Sequence, residues 1–390
     1  MNSSPAGASV FKDIQKLSFD YVPEKLVHRE PQMKRLRTLF RPVVDSNFSQ
    51  NALITGSVGT GKTHLSKIFS SDLGKMAQDK GKYIEHVLVN CRQYYTEDMV
   101  LLKIISKFQP HFPDRGFSVP EKLEVLRKQI DKSKCHLLIV LDEVDALLKK
   151  SGSNLIYTFT RFDEEVPGIK ASLSLILISQ HDVFPLMDAA SLSTFKRTNV
   201  VAMDKYNGEE LKDILMERVE LAFYPGAVPE DSTGLIADIA SESGDARFGI
   251  ELLMNSGMLA DEERVEEITP EHVRLAKAET FRTITEEKLA ELDKGKKVAL
   301  LAIARKMKKS AYINTGDAED SYAVVCEELG EKKRGHTQFW KYIKDLDALG
   351  FIDTKISGEG VVGKTTLISL SEIPAGQLEE ILEREIGGSE

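Results

Sequence analysis

The sequence predicts an α/β protein in three parts: a parallel sheet flanked by helices, an all-helical domain, and a small C-terminal domain of three helices and a β-hairpin. Three observations carry this. An apolar run, a glycine-rich turn and a helix-compatible segment follow one another over residues 51–67. A second apolar run, 137–141, ends in the carboxylate pair Asp142-Glu143. From Thr285 on the chain turns to basic-flanked helices followed by two strand-forming runs, 351–357 and 366–370.

The first stretch is the most specific. Ala52-Leu53-Ile54 reads as a strand, Gly56-Ser57-Val58-Gly59-Thr60-Gly61-Lys62-Thr63 as the turn, and residues 64–76, from His64, as a helix. This is the order a P-loop requires. Glycines let the backbone curl and aim its N–H groups at phosphate oxygens, and the helix N-terminus adds positive potential. Lys62 would reach the β- and γ-phosphates, and the Thr63 hydroxyl would hold Mg²⁺. The expected cofactors are ATP or ADP with Mg²⁺.

The chain has 390 residues, too many for one ordinary core, so two or three domains are expected. With 42% hydrophobic and 29% charged residues the composition is globular. No apolar run approaches the ~18 residues of a membrane span, and the N-terminal residues lack a basic-then-apolar signal pattern. We expect a soluble cytoplasmic, nucleoid-associated protein without a membrane partner. Cys91, Cys135 and Cys326 form no CxxC pair, which predicts neither a disulfide framework nor a zinc site. The net charge of −9 argues against a nucleic-acid binder, but residues 294–344 carry twelve Lys/Arg against six Asp/Glu, a local +6. A basic face on one domain suffices for phosphate contact; a merely solvated helix surface would show the same excess.

Residues 1–20 read as a polar, frayed arm. Residues 31–40 form a helix with Met33, Leu36, Leu39 and Phe40 on one face, either packing the sheet or lying near a bound base. Residues 86–91 are a short buried strand. Residues 94–134 form two or three helices broken at 110–116, a loop carrying aromatic and basic residues that fits a plain connection or a DNA contact. The run 137–141 is a strand buried on both faces. Asp142 at its end would hold the Mg²⁺ shell, and Glu143 would polarise the attacking water as general base. Residues 173–179 form a third buried strand, expected between the other two, whose tip offers Gln180, an amide able to donate and accept. His181 receives no role. Residues 199–203 form a last strand.

Helices are predicted at 209–223, 235–241, 246–256 and 270–281. Arg247 falls at the start of the third. The C-terminal helices are 296–308, 321–329 and 337–349, the last with Phe339, Ile343, Leu346 and Leu349 inward and Thr337, Gln338, Lys341 and Lys344 outward. With the hairpin they make a winged helix-turn-helix, whose third helix would enter a major groove and whose wing would follow the backbone. Gly358-Glu359-Gly360-Val361-Val362-Gly363-Lys364-Thr365 also satisfies GxxxxGK[ST]. Strand formers follow it in place of a helix, so we read it as the wing turn, with Lys364 available to DNA phosphate.

Taken together, the chain resembles the archaeal replication initiators, the AAA+ ATPases related to origin-recognition-complex subunit one and the cell-division-cycle-six loader. The resemblance covers nearly the whole chain. It rests on Tyr21-Val22-Pro23 with His28-Arg29-Glu30, on the P-loop, on Leu141-Asp142-Glu143-Val144-Asp145, on Tyr206-Asn207-Gly208-Glu209-Glu210-Leu211, on Glu217-Arg218-Val219, on Gly244-Asp245-Ala246-Arg247, and on Arg334-Gly335-His336-Thr337-Gln338-Phe339-Trp340. It implies a P-loop AAA+ sheet domain (1–204), an all-helical lid (205–284) and a winged-helix DNA-binding domain (285–390). It further implies that Tyr21, Val22, Pro23, His28 and Arg29 border the adenine, that Tyr206 and Arg218 contact the nucleotide, and that Arg247 is the lid's sensor arginine. Residues 94–117 would be the family's initiator-specific insertion, with Arg115 and Phe117 touching the minor groove, and Arg334 would join the winged-helix contacts.

The family departs from this sequence at two points. Where it usually places Asn, this chain has Gln180. Where it tends to place Leu-Asp-Pro-Arg, this chain has Met187-Asp188-Ala189-Ala190, with Arg197 seven residues on. That predicts slow intrinsic turnover and an ADP that survives purification. The expected function is a weak Mg²⁺-dependent ATPase acting as a switch in an initiator. It would bind origin double-stranded DNA, help recruit the replicative helicase and pair with a paralogous initiator. The competing readings are a divergent paralogue serving as a DNA-bound regulator and a clamp-loader-like motor, the latter disfavoured by the winged helix.

Overall fold

The computed structural model describes residues 9–24, 26–163, 171–195, 199–280, 289, 292–356, 366–370 and 373–387. They fall into two compact units: Val22–Tyr206, and Met1–Tyr21 together with Asn207–Glu390.

The first unit is built on five parallel strands: β1 (Asn51–Gly56), β2 (Ile84–Asn90), β3 (His136–Asp142), β4 (Ser172–Ser179) and β5 (Val200–Met203). They lie in the order β2-β3-β4-β1-β5, so β4 does separate β3 from β1. Every residue of β3 is buried. Leu137, Ile139 and Leu141 pack with Val100, Leu101, Ile104 and Ile105, while Leu138 and Val140 face Phe40, Phe69 and Leu73. A strand points successive side chains to opposite faces, so a run with no polar break belongs between two helical layers. The helix expected to end at Phe40 extends over Glu30–Ser46, straight through Pro42. Val43 and Val44 are buried at its far end, and their burial outweighs the one N–H that proline lacks. At the base of β3, His136 meets Ser174 Oγ at 2.8 Å and Asn47 Oδ1 at 3.2 Å. Burial, aided by the Lys82 charge, lowers its pKa to about 4.

The second unit corrects the reading of the N-terminal arm. Residues 9–21 form a strap on helices Gly208–Ala222 and Ala246–Glu263. The N–H groups of Lys12 and Asp13 both donate to Ala222 O, at 2.8 and 3.0 Å, and Val10 N–H donates to Asp261 at 2.6 Å. Val10 and Leu17 are buried, and the Phe11 and Phe223 rings lie 4.8 Å apart. Gly257 makes room for this: a Cβ there would stand 2.4 Å from Phe11 Cζ. The strap holds one 3-10 turn, Ile14–Leu17, too short to show a periodic pattern, and its partners lie far along the chain.

Helices Glu230–Ser241 and Pro270–Thr280 complete the helical layer. The C-terminal part contains helices Lys294–Met307, Thr315–Glu328 and His336–Ala348. It adds an antiparallel sheet, β6 (Ile313–Asn314), β7 (Asp353–Ile356) and β8 (Thr366–Ser369), in the order β6-β8-β7. The predicted hairpin pairing of β7 and β8 is present; its turn, including Lys364 and the second GxxxxGK[ST] match, lies outside the described residues. Neither β6 nor the closing helix Ala375–Gly387 was anticipated. Leu349, expected inward, is 55% exposed, because it takes the C-cap position where Gly350 turns the chain at φ 75°.

A buried cation ties the helical layer to this domain. Arg274 is fully buried and donates to Leu370 O at 3.0 Å, Met307 O at 2.9 Å and Ser310 O at 2.8 Å. Its partner Glu271, 3.2 Å away, also accepts from the N–H groups of Ala375 and Gly376 at the start of the closing helix. A carboxylate is favoured at a helix N-terminus.

Candidate nucleotide site and nucleic-acid interface

The P-loop runs from the end of β1 into helix Lys62–Gln78, with Gly61 as N-cap at φ 88°. Gly56 is required by space: a Cβ would lie 2.4 Å from Met203 O on neighbouring β5. Ser57 and Val58 are exposed, Gly59 and His64 half-buried, and Thr60 fully buried, its hydroxyl donating to Ser57 O at 2.9 Å. Lys62 Nζ folds back on the loop and donates to the carbonyls of Gly56 and Ser57, both at 2.6 Å.

The β2–β3 register pairs Asn90 with Asp142, and the parallel order places the tips of β3, β4 and β1 side by side. Thr63 Oγ1 donates to Asp142 Oδ2 at 2.7 Å, and Glu143 N–H donates to Asp142 Oδ1 at 2.9 Å. A hydroxyl and a carboxylate are the hard oxygen donors that Mg²⁺ takes, usually beside waters and substrate phosphates. Among the described residues no cluster of three His, Cys, Asp or Glu could hold a metal by itself. Glu143 sits at φ 53°, a left-handed conformation rare outside glycine. Its carboxylate is 3.0 Å from Arg92 Nε. Arg92 was missed in the sequence: it lies two residues past β2, and only the sheet register brings it to Glu143. Buried Cys91 is no nucleophile, since burial and the neighbouring Asp142 charge push its thiol up to about 12. Gln180 is half-buried at the tip of β4, beside the exposed His181.

The residues expected around the base divide between the two units. Pro23 and Arg29 are buried, Val22 is exposed, and His28 takes φ 60°. Arg29 gives its guanidinium to backbone carbonyls and to the Tyr206 ring, 3.7 Å away. In the second unit the Tyr21 ring lies between Lys16 Nζ at 4.5 Å and the Arg218 guanidinium at 4.7 Å. Buried Arg218 donates to Lys16 O at 3.0 Å. Arg247 is exposed over the Phe19 ring, behind the N-cap Asp245, and has no ion pair among the described residues.

Helix His336–Ala348 buries Phe339, Tyr342, Ile343 and Leu346. Arg334 before it and Thr337, Gln338, Lys341 and Lys344 on it are all exposed. Most other cations of the basic segment are neutralised within the domain. Lys294 pairs with Glu331, Lys296 with Asp293 and Asp345, Lys297 with Glu385, Arg305 with Glu328 and Glu383, and Lys308 with Glu379. Among the described residues, Lys306, Lys309, Lys332, Arg334, Lys341 and Lys344 carry no ion pair. In the other unit, Arg115 and Phe117 lie exposed on the loop between helices Glu97–Phe108 and Val119–Ser133, where Phe117 leans on Phe112 at 4.8 Å.

A P-loop joined to a carboxylate-tipped strand on a parallel sheet, with a helical layer and a winged helix following in the chain, defines a AAA+ ATPase-type protein. Family profiles agree: "AAA domain" matches residues 49–187, "Cdc6 AAA+ ATPase-type lid domain" 212–278, and "CDC6, C terminal winged helix domain" 287–376. The ORC1-type DNA replication protein 2 of Sulfurisphaera tokodaii is 32% identical over 97% of this chain and 94% of its own length. The ORC1-type DNA replication protein of Thermococcus kodakarensis is 32% identical over 94% and 89%. The crystal structure of Cdc6p from Pyrobaculum aerophilum superposes with a TM-score of 0.82 at 29% identity, covering 97% of this chain and 99% of that one. The Aeropyrum pernix ORC1 protein in complex with DNA gives 0.64 at 30% identity, covering 97% of each chain. The chain belongs to the archaeal Cdc6/ORC1-type family of replication initiators. No helix among the described residues is long and apolar enough to cross a membrane.

Proposed function

We propose that this protein is an ATP-switched replication initiator that binds origin double-stranded DNA through its winged helix and helps recruit the replicative helicase. The observation that carries the DNA reading is the surface of helix His336–Ala348. Its exposed face keeps unpaired cations and amide or hydroxyl groups, while Lys294, Lys296, Lys297, Arg305 and Lys308 of the same basic segment are paired within the domain. Free Lys and Arg supply phosphate contact and polar side chains supply base contact. ATP or ADP would be held by residues 56–64, with Thr63 and Asp142 holding Mg²⁺, which supplies charge neutralisation on the phosphates. Glu143 would orient and deprotonate the attacking water, and Gln180 would hydrogen-bond the transferred phosphate. Arg218 and Arg247 would add positive charge from the lid, with domain boundaries near residues 205 and 285.

Footprinting on genomic origin DNA tests this. Discrete protection that Lys341→Ala/Lys344→Ala loses is expected; weak, salt-sensitive and unspecific binding by the wild type would overturn it. A second reading, a DNA-bound regulator with a nearly silent ATPase, is favoured by one observation. The helix capped by Asp188 opens with Ala189 and Ala190, where a relative's arginine would serve a neighbour's nucleotide. Protection confined to the protein's own promoter would select it.

A further inference from the structure

Arg29 is buried, yet its three hydrogen bonds among the described residues go to backbone carbonyls: Nε to Thr60 O at 3.2 Å, one terminal nitrogen to His28 O at 3.2 Å and the other to Asp204 O at 2.7 Å. Among the described residues no carboxylate pairs with it. Its charge is met by carbonyl dipoles and by the face of Tyr206, 3.7 Å from the guanidinium carbon. From this geometry we propose that Arg29 and Tyr206 form a clamp that sets the shape of the P-loop before nucleotide arrives, Arg29 acting as a positioning residue and not as a base contact. The proposal rests on the nucleotide-binding reading above.

The argument is one of peptide geometry. A trans peptide points its N–H opposite to its C=O. By anchoring Thr60 O, Arg29 fixes the direction of the Gly61 N–H, one of the donors the loop offers a phosphate. Gly61 is pinned from the other side: a Cβ there would stand 3.2 Å from the Tyr206 hydroxyl and 3.0 Å from Leu26 Cδ2. The third anchor, Asp204 O, lies just past β5, so the loop, the end of the sheet and the last residue of the unit are held by one side chain. A planar fork can hold three carbonyls and stack on a ring together; an ammonium cannot.

The test is titration of full-length protein with ATP, ADP and GTP in the presence of Mg²⁺, comparing wild type with Arg29→Lys, Tyr206→Phe and Tyr206→Leu. Far-ultraviolet circular dichroism would show each variant folded at the assay temperature. Arg29→Lys should weaken all three nucleotides by one common factor, roughly tenfold, leaving the ATP-to-GTP ratio unchanged. Tyr206→Phe, which keeps the ring face but loses the hydroxyl beside Gly61, should show the same common loss for all three nucleotides as Tyr206→Leu but a smaller one. Tyr206→Leu should match Arg29→Lys, and the double variant should be no worse than either. A loss confined to adenine nucleotides would make Arg29 a base contact and overturn the clamp, as would unchanged affinity in Arg29→Lys. If the wild type bound none of the three, the nucleotide reading itself would fall, a result distinct from either.

Discussion

The hydroxyl of Thr63 donates a 2.7 Å hydrogen bond to the carboxylate of Asp142 across the gap between the P-loop helix and the tip of β3. Two hard oxygen groups, the donor types a phosphate-bound Mg²⁺ would take, are thereby held side by side. Asp142→Asn should retain metal-free nucleotide binding and lose most of the increment that Mg²⁺ adds, about tenfold or more in Kd. Titrations with ADP, with and without Mg²⁺, measure that increment. An unchanged increment would remove Asp142 from the metal site.

Glu143 is held by Arg92 at 3.0 Å. With Glu143 as the general base proposed above, this ion pair would occupy the carboxylate that has to meet the attacking water, and breaking it would free that group. Glu143→Gln should lower single-turnover hydrolysis by about 10²–10⁴-fold with ATP affinity kept. Arg92→Ala should raise it severalfold. Slower hydrolysis in Arg92→Ala would mean that the arginine orients the base productively.

On the winged helix, Lys341 and Lys344 are exposed, and neither has an ion pair among the described residues. Each alanine substitution should reduce the slope of log K against log salt by about 1, the signature of one lost phosphate contact. Lys297→Ala, which breaks the pair with Glu385 inside the domain, should leave that slope unchanged. Binding measured across a salt series separates the two.

His136 makes stability depend on pH. Burial depresses its folded pKa to about 4 from the usual 6.5. As pH falls, the unfolded chain takes up a proton first, so this contribution is intact above pH 6.5 and is lost progressively down to about pH 4. The loss is of the order of 3 kcal/mol. His136→Asn, which cannot titrate, should flatten that part of a denaturant-stability profile. An equally steep profile in the variant would assign the slope to other groups.

The N-terminal strap belongs energetically to the helical layer. Leu17 is 1% exposed, and Leu17→Ala should cost about 2–4 kcal/mol, seen in chemical unfolding. A loss under 1 kcal/mol would show that the strap is only loosely docked.

Local chemistry made much of this protein legible in its sequence. The P-loop order, the all-apolar β3 with its terminal carboxylates and the 3.6-residue stripe of helix His336–Ala348 are written within short windows, where periodicity and turn residues act directly. The tertiary structure decided what depends on distant partners. Arg92 reaches Glu143 through a strand register, the strap at Val10–Leu17 finds its place against Ala222 and Asp261, and Arg274 donates to carbonyls from two separate segments, Met307–Ala311 and Leu370. It also decided which basic residues remain free. The sequence counts charges, but only the fold sets Lys297 against Glu385 and Arg305 against Glu383 while leaving Lys341 in solvent. Charge pairing falls steeply with distance, and those distances are properties of the packed chain.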